Sequence, residues 1–188
     1  HISSLVYDPL VAVSAIEVPS FRGRTGPFEL RPMVMIDDAG TVRAQVQRAG
    51  VWDSVKEIMT GLGTGGSGDF HYSRSFDVAY EKSSGRALVV YTNGVAATPK
   101  YVIWDPTGNG SWSSQKNIAL AGPSGIPWWI KTVSNPNPSS SEIAMITADN
   151  QATPDLYGYI WNGAFDNGDG TYGAWTEIRA LCTSLEAA

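Results

Sequence analysis

The sequence has little of what catalysis and covalent cross-linking usually require. Its one cysteine, Cys182, allows no disulfide within the chain; in the last strand pattern it reads as a small packed side chain rather than a reactive thiol. The two histidines, His1 and His71, are too few for a histidine-rich metal site and poorly placed for a catalytic triad. Charge is sparse, at 16% of residues, and the net charge is −5. With Arg22, Arg24 and Arg31 as the only loose basic cluster, neither a nucleic-acid nor an anionic-membrane partner is expected. Long apolar runs are missing, so no transmembrane helix is predicted. The chain opens at His1 without a leader pattern, the form expected of a processed or excised piece.

Glycine (20), tyrosine (8) and tryptophan (7) are plentiful, with many Asn and Ser, a composition that points to an extracellular or cell-surface β protein. Residues 76–120 show the organising pattern. FDVAYE, ALVVYTN, PKYVIWD and WSSQKNIAL are rich in β-branched and aromatic residues, and KSSGR, GVAAT and PTGNGS separate them. That alternation predicts a four-stranded antiparallel meander.

The unit recurs. WDSVKEI from Trp52, WSSQKNI from Trp112 and WTEIRAL from Trp175 are spaced 60 and 63 residues apart, and each has an aliphatic residue six positions on: Ile58, Ile118 and Leu181. Before each lies a pair of strand patterns: PMVMIDD and TVRAQVQ, ALVVYTN and PKYVIWD, EIAMITADN and DLYGYIW. Such a period marks stacked supersecondary units. The predicted fold is all-β, with three propeller-like repeats over residues 31–66, 70–122 and 126–188 of one domain (31–188). Residues 1–30 form either an irregular arm, free to pair with a neighbouring subunit, or the first strand of the first unit. In Ala87-Leu88-Val89-Val90-Tyr91 and Tyr101-Val102-Ile103-Trp104 both alternating faces are apolar, so the sheets should have neighbours on both sides. A two-sheet β-sandwich with a thick core is the alternative.

FDVAYEKSSGRALVVYTN, a strand ending in Trp, an Asn/Gly turn and a second Trp together resemble the repeats of bacterial surface-type β-propellers, in the broad sialidase/kelch-like style. The resemblance spans residues 28–188. It implies a propeller-like architecture but no catalytic residues, because the sialidase Asp-box, Ser-x-Asp-x-Gly-x-x-Trp, is not intact. Its nearest echoes are Thr107-Gly-Asn109-Gly-Ser111-Trp112 and Asn167-Gly-Asp169-Gly-Thr171. Three copies are fewer than the four to eight blades of a closed ring. The chain is then a fragment, or several chains complete the ring, or the units pack in another way.

Several motifs carry less than their letters suggest. Gly61-Leu-Gly-Thr-Gly-Gly66 matches a dinucleotide fingerprint, but no helix pattern follows to hold a phosphate, so it reads as a connector and no cofactor is expected. Asp37-Asp38 is a turn signal. Asp166 and Asp169 match a calcium loop only in part, because Ala164 and Gly168 stand where oxygen ligands belong. For glycoside hydrolysis the candidate carboxylates are Asp77 and Glu81, whose counterparts in the third unit are Lys131 and Asn135. No set of residues meets a mechanism's geometric demands, and the chain is expected not to be an enzyme.

The aromatics Tyr101, Trp104 and Trp112 in the second unit, and Tyr159, Trp161 and Trp175 in the third, are the candidate sugar-stacking residues. Filling the space between sheets is their other reading, and the first unit has no aromatic in Val42-Arg-Ala-Gln-Val-Gln. The sequence therefore points to a non-catalytic extracellular module for adhesion or assembly, such as a surface-layer or filament subunit, with other protein subunits as partners. A carbohydrate-binding, lectin-like module recognising glycans is the second expectation, and a fragment of a sialidase-like glycoside hydrolase the third.

Overall fold

A computed structural model describes residues 13–17, 30–37, 40–48, 50–61, 75–118, 125–149, 156–169 and 171–182. The expectations for Arg22 and Arg24, for both histidines, for the glycine loop beyond Gly61 and for the Cys182 side chain lie outside the described residues.

The chain is all-β and forms three antiparallel sheets, each a meander in chain order. Sheet 1 contains β1 (Val13–Glu17), β2 (Leu30–Asp37) and β3 (Val42–Arg48), followed by β4 (Val51–Trp52) and β5 (Lys56–Met59), which both pair with β3. Sheet 2 contains β6 (Phe76–Tyr80), β7 (Ala87–Tyr91) and β8 (Lys100–Asp105), with β9 (Ser111–Trp112) and β10 (Lys116–Asn117) both on β8. Sheet 3 is β11 (Pro127–Ser134), β12 (Glu142–Asp149), β13 (Leu156–Asp166) and β14 (Tyr172–Cys182). The N-terminal strand β1 pairs with β2 of its own chain.

The three tryptophans occupy one equivalent place. Trp52 lies opposite Gln47, Trp112 opposite Trp104 and Trp175 opposite Trp161. Four residues on, Lys56 lies opposite Ala44, Lys116 opposite Tyr101 and Arg179 opposite Gly158, which is the same register each time. The expected single fourth strand is broken in sheets 1 and 2 for a local reason. The residue after the tryptophan turns its side chain into the ladder: Asp53 Oδ1 accepts the Val46 N–H at 2.8 Å, and Ser113 Oγ accepts that of Ile103 at 2.9 Å. A side-chain acceptor that captures a ladder donor displaces the backbone carbonyl and produces a bulge. In sheet 3 the hydroxyl of Thr176 reaches the Ile160 carbonyl at 3.4 Å, and β14 runs through with only a register shift.

Sheet 2 lies between the other two. Every residue of β6 and β7 is buried, as two apolar faces require. On one side Val78, Val89 and Trp104 pack against Val34, Ala44 and Val46 of sheet 1; on the other Ala79, Leu88 and Tyr101 pack against Ile143, Tyr159 and Trp161 of sheet 3. Both seams use the same face of the preceding sheet and the same face of the following one. Among the described residues the three sheets do not close into a ring.

Candidate functional site

Each seam is fastened by a tryptophan on the third strand. Trp104 (1% exposed) and Trp161 (0%) point back at the preceding sheet. A buried indole N–H needs an acceptor, and both find a carboxylate there. Trp104 bonds to Asp53, while Trp161 donates to Glu81 Oε1 at 2.7 Å. An arginine stands beside each acid. Arg48 lies 5.4 Å from the centroid of the Trp104 ring and donates to the carbonyls of Pro106 (3.0 Å) and Gly108 (2.7 Å). Arg86 pairs with Glu81 at 2.8 Å and donates to the carbonyls of Gly163 and Tyr172. Pro106 and Gly163 both stand two residues beyond their tryptophan, so the two clasps meet the following sheet at the same point. Burial pushes the Asp53 carboxyl above its ordinary value, against the bonds from Val46 and Trp104 that pull it down.

Glycine completes each clasp. Gly110 (φ 85°) and Gly173 (φ 102°) lie over the indoles of Trp104 and Trp161. A Cβ at 110 would meet Trp104 Cζ2 at 2.6 Å, and one at 173 would collide with Trp161 in the same way. In the first unit Gly50 (φ 83°) faces open space, because Gln47 replaces the tryptophan.

Four of the six candidate stacking residues come together at the second seam. Tyr101, Tyr159, Trp161 and Trp175 form an edge-to-face cluster with centroid distances of 5.4–6.0 Å. Trp104 lies apart, buried in the first seam, and Trp112 is half-buried against that core. Trp104, Tyr159 and Trp161 thus present no ring face to solvent. Tyr101 and Trp175 do border a cavity of about 300 Å³, together with Lys116, Asn117, Asn167, Asp169 and Thr171.

The loop carrying Asp166 and Asp169 rims this cavity, and its oxygens are turned inward. Asp166 Oδ1 accepts the Gly168 N–H at 2.8 Å; Asp169 Oδ1 accepts the N–H (2.9 Å) and hydroxyl (2.6 Å) of Thr171. Those two donors hold the Asp169 carboxyl below its ordinary value. Among the described residues no three His, Cys, Asp or Glu side chains gather as metal ligands.

Asp77 lies on β6 and Glu81 directly follows it, and both reach into the second seam. Glu81 is held in the clasp. Asp77, 2% exposed, accepts the Thr132 N–H (2.6 Å) and hydroxyl (3.0 Å) and pairs with Lys131 at 3.2 Å. The counterpart of Asp77 in the next unit thus stands beside it as an ion partner.

Sequence reasoning missed Arg48, Arg86 and the role of Glu81, yet a signal for the seams was in the letters. Gly-x-Trp followed by Asp, Ser or Thr, with a basic residue four beyond the tryptophan, occurs at residues 50–56, 110–116 and 173–179. A scan against protein-family models found no match to this chain, and a search of curated proteins found none.

Proposed function

We propose that this chain is a non-catalytic extracellular module for assembly or adhesion, built from propeller-type repeats and working at the cell surface. The observation that carries the reading is the polarity of the stack. Each sheet offers one face to the next, twice over, and among the described residues the corresponding face of sheet 3 has no sheet on it. A face of the kind that is covered twice inside the chain and left uncovered at sheet 3 offers a contact to another chain. Sedimentation velocity of the purified chain over a wide concentration range tests this, with association expected; a single species of one-chain mass throughout would refute it.

A second reading, glycan binding, is favoured by the cavity at the second seam. Its aromatic border of Tyr101 and Trp175 and its polar rim of Asn117, Asn167 and Lys116 combine the groups that sugars use. A glycan array probed with the wild type and with Asn117→Ala and Asn167→Ala would show binding that the rim variants lose. Absence of binding, or binding the variants retain, ends this reading.

A further inference from the structure

We propose that the outer face of sheet 3 docks on the same face of a second copy of this chain, related by a two-fold axis. This rests on the assembly reading above and names its surface and its partner.

Equivalent positions locate the surface. Six residues beyond the repeat tryptophans stand Ile58, Ile118 and Leu181. Ile58 packs into the first seam, Ile118 is 1% exposed in the second, and Leu181 is 52% exposed, lying over Gly158. On the second strand, registers pair Val34 with Ala44, Val90 with Tyr101 and Ile146 with Gly158. Val34 and Val90 are fully buried, whereas Ile146 is 37% exposed. Twice the position is covered by the next sheet, and the third time it is open. Trp129 and Val133, opposite Ala148 and Ala144 on the edge strand, extend the same apolar surface. Of the charged positions on this face, Lys131, Glu177 and Arg179 lie on the two edge strands and Glu142 stands at the start of β12; Lys131 is already engaged with Asp77. An apolar centre inside a polar rim is the anatomy of a protein interface.

The partner follows from what the rest of the molecule offers. The other end of the stack is the face of sheet 1 that carries Gln45 and Gln47. There sheets 2 and 3 place Val102 and Trp104, then Tyr159 and Trp161. Gln45 and its neighbour Met33 are buried within the chain. That end carries Trp52 opposite Gln47 but no tryptophan at the third-strand position that Trp104 and Trp161 hold, so head-to-tail addition would lack the contact that fastens both internal seams. Two copies of the open face satisfy one another by symmetry, residue i meeting j and j meeting i. Four strands of eight residues cover about 500 Å² per partner, roughly 1,000 Å² in all. This is the lower end of specific interfaces, so a dimer that dissociates on dilution through the micromolar range is expected.

The test is sedimentation velocity of the wild type and Ile146→Lys, with short bismaleimide cross-linking of Ile146→Cys and Ser139→Cys in a Cys182→Ser background. Ile146 is partly exposed near the middle of the sheet and Ser139 lies in an exposed loop, so these variants should fold, and circular dichroism checks it. Expected are a wild-type species of twice the chain mass, at least a tenfold weaker dimer for Ile146→Lys, and covalent dimers from position 146 but not 139. Association that Ile146→Lys leaves intact, that gives no cross-link at 146, or that passes beyond the dimer overturns this inference while the assembly reading stands. A strictly monomeric wild type overturns both.

Discussion

Replacing Glu81 by alanine isolates what the second seam clasp contributes. The Glu81 side chain is 1% exposed and its partner Arg86 is 15% exposed; the carboxylate also accepts the Trp161 indole N–H and the Ser84 hydroxyl. Removing one partner of a buried pair costs about 3–5 kcal/mol, because the remaining charge keeps its desolvation penalty and loses its compensation. For a chain of this size the urea dependence is about 2 kcal/mol per molar. The midpoint in Glu81→Ala should therefore fall by about 2 M. Glu57→Ala is the control: its pair with Arg43 spans 3.7 Å with 57% and 32% of the side chains exposed, and such surface pairs contribute under about 1 kcal/mol. Adding Arg86→Met to Glu81→Ala removes the orphaned charge and should recover part of the loss. Urea titrations followed by tryptophan fluorescence and circular dichroism measure all four proteins. A Glu81→Ala shift no larger than that of Glu57→Ala, or a double variant no better than the single, would refute the reasoning.

The tryptophans should separate by their hydrogen bonds. Trp161→Phe leaves Glu81 without its indole donor, whereas the Trp175 nitrogen is buried without a partner among the described residues; urea midpoints should place Trp161→Phe about 1 kcal/mol below Trp175→Phe. Gly110→Ala meets both a positive φ and the Trp104 ring, while Gly108→Ala meets positive φ (61°) alone in open space. Thermal melts should show a loss of about 3 kcal/mol for the first and about 1 kcal/mol for the second; equal losses would mean that the indole does not occupy that space. Burial raises the phenols of Tyr80, Tyr91 and Tyr159, the last to about 12. The unfolded chain releases these protons near pH 10, so stability should be independent of them below that pH and fall as pH rises above it. Absorbance at 295 nm should then show part of the phenolate signal arriving only with loss of the circular dichroism spectrum, and one step near pH 10 from a folded chain would contradict it.

Architecture was legible in the sequence where two kinds of signal agreed. The all-apolar runs at residues 87–91 and 101–104 announced a sheet covered on both faces, and the structure buries β7 completely. Period and anchor tryptophans placed three sheets in register. The break after Trp52 and Trp112 was not foreseen, because it depends on whether Asp53 and Ser113 turn inward to a strand donor or outward to water, and hydrophobic pattern says nothing about that choice. Leu181 was expected to match Ile58 and Ile118. Its position does match, but burial at that position depends on a neighbouring sheet rather than on the residue. The aromatic candidates were found as a set. Sorting core from cavity border needed coordinates, since Trp161 and Trp175 have the same residue type, the same sheet and directly opposed backbones.

The two clasps show which part of a seam is fixed by physics and which is free to vary. Trp104 and Trp161 hold the same place, and each buries an indole N–H that water cannot reach. The need for an acceptor is thus set once the tryptophan is there. The acceptor comes from different parts of the preceding sheet: Asp53 from the bulge of the fourth strand, Glu81 from just past the end of the first. The arginines differ likewise, Arg48 ending β3 and Arg86 preceding β7, yet both reach the carbonyl two residues beyond the tryptophan. A comparison of aligned letters therefore finds the tryptophans and misses their partners, because the partners are equivalent in the bond they make and not in sequence position. Gln47 closes the argument from the other side. Without an indole on the third strand of sheet 1 no carboxylate is required in front of it, and Gly50, with no ring above it, faces open space.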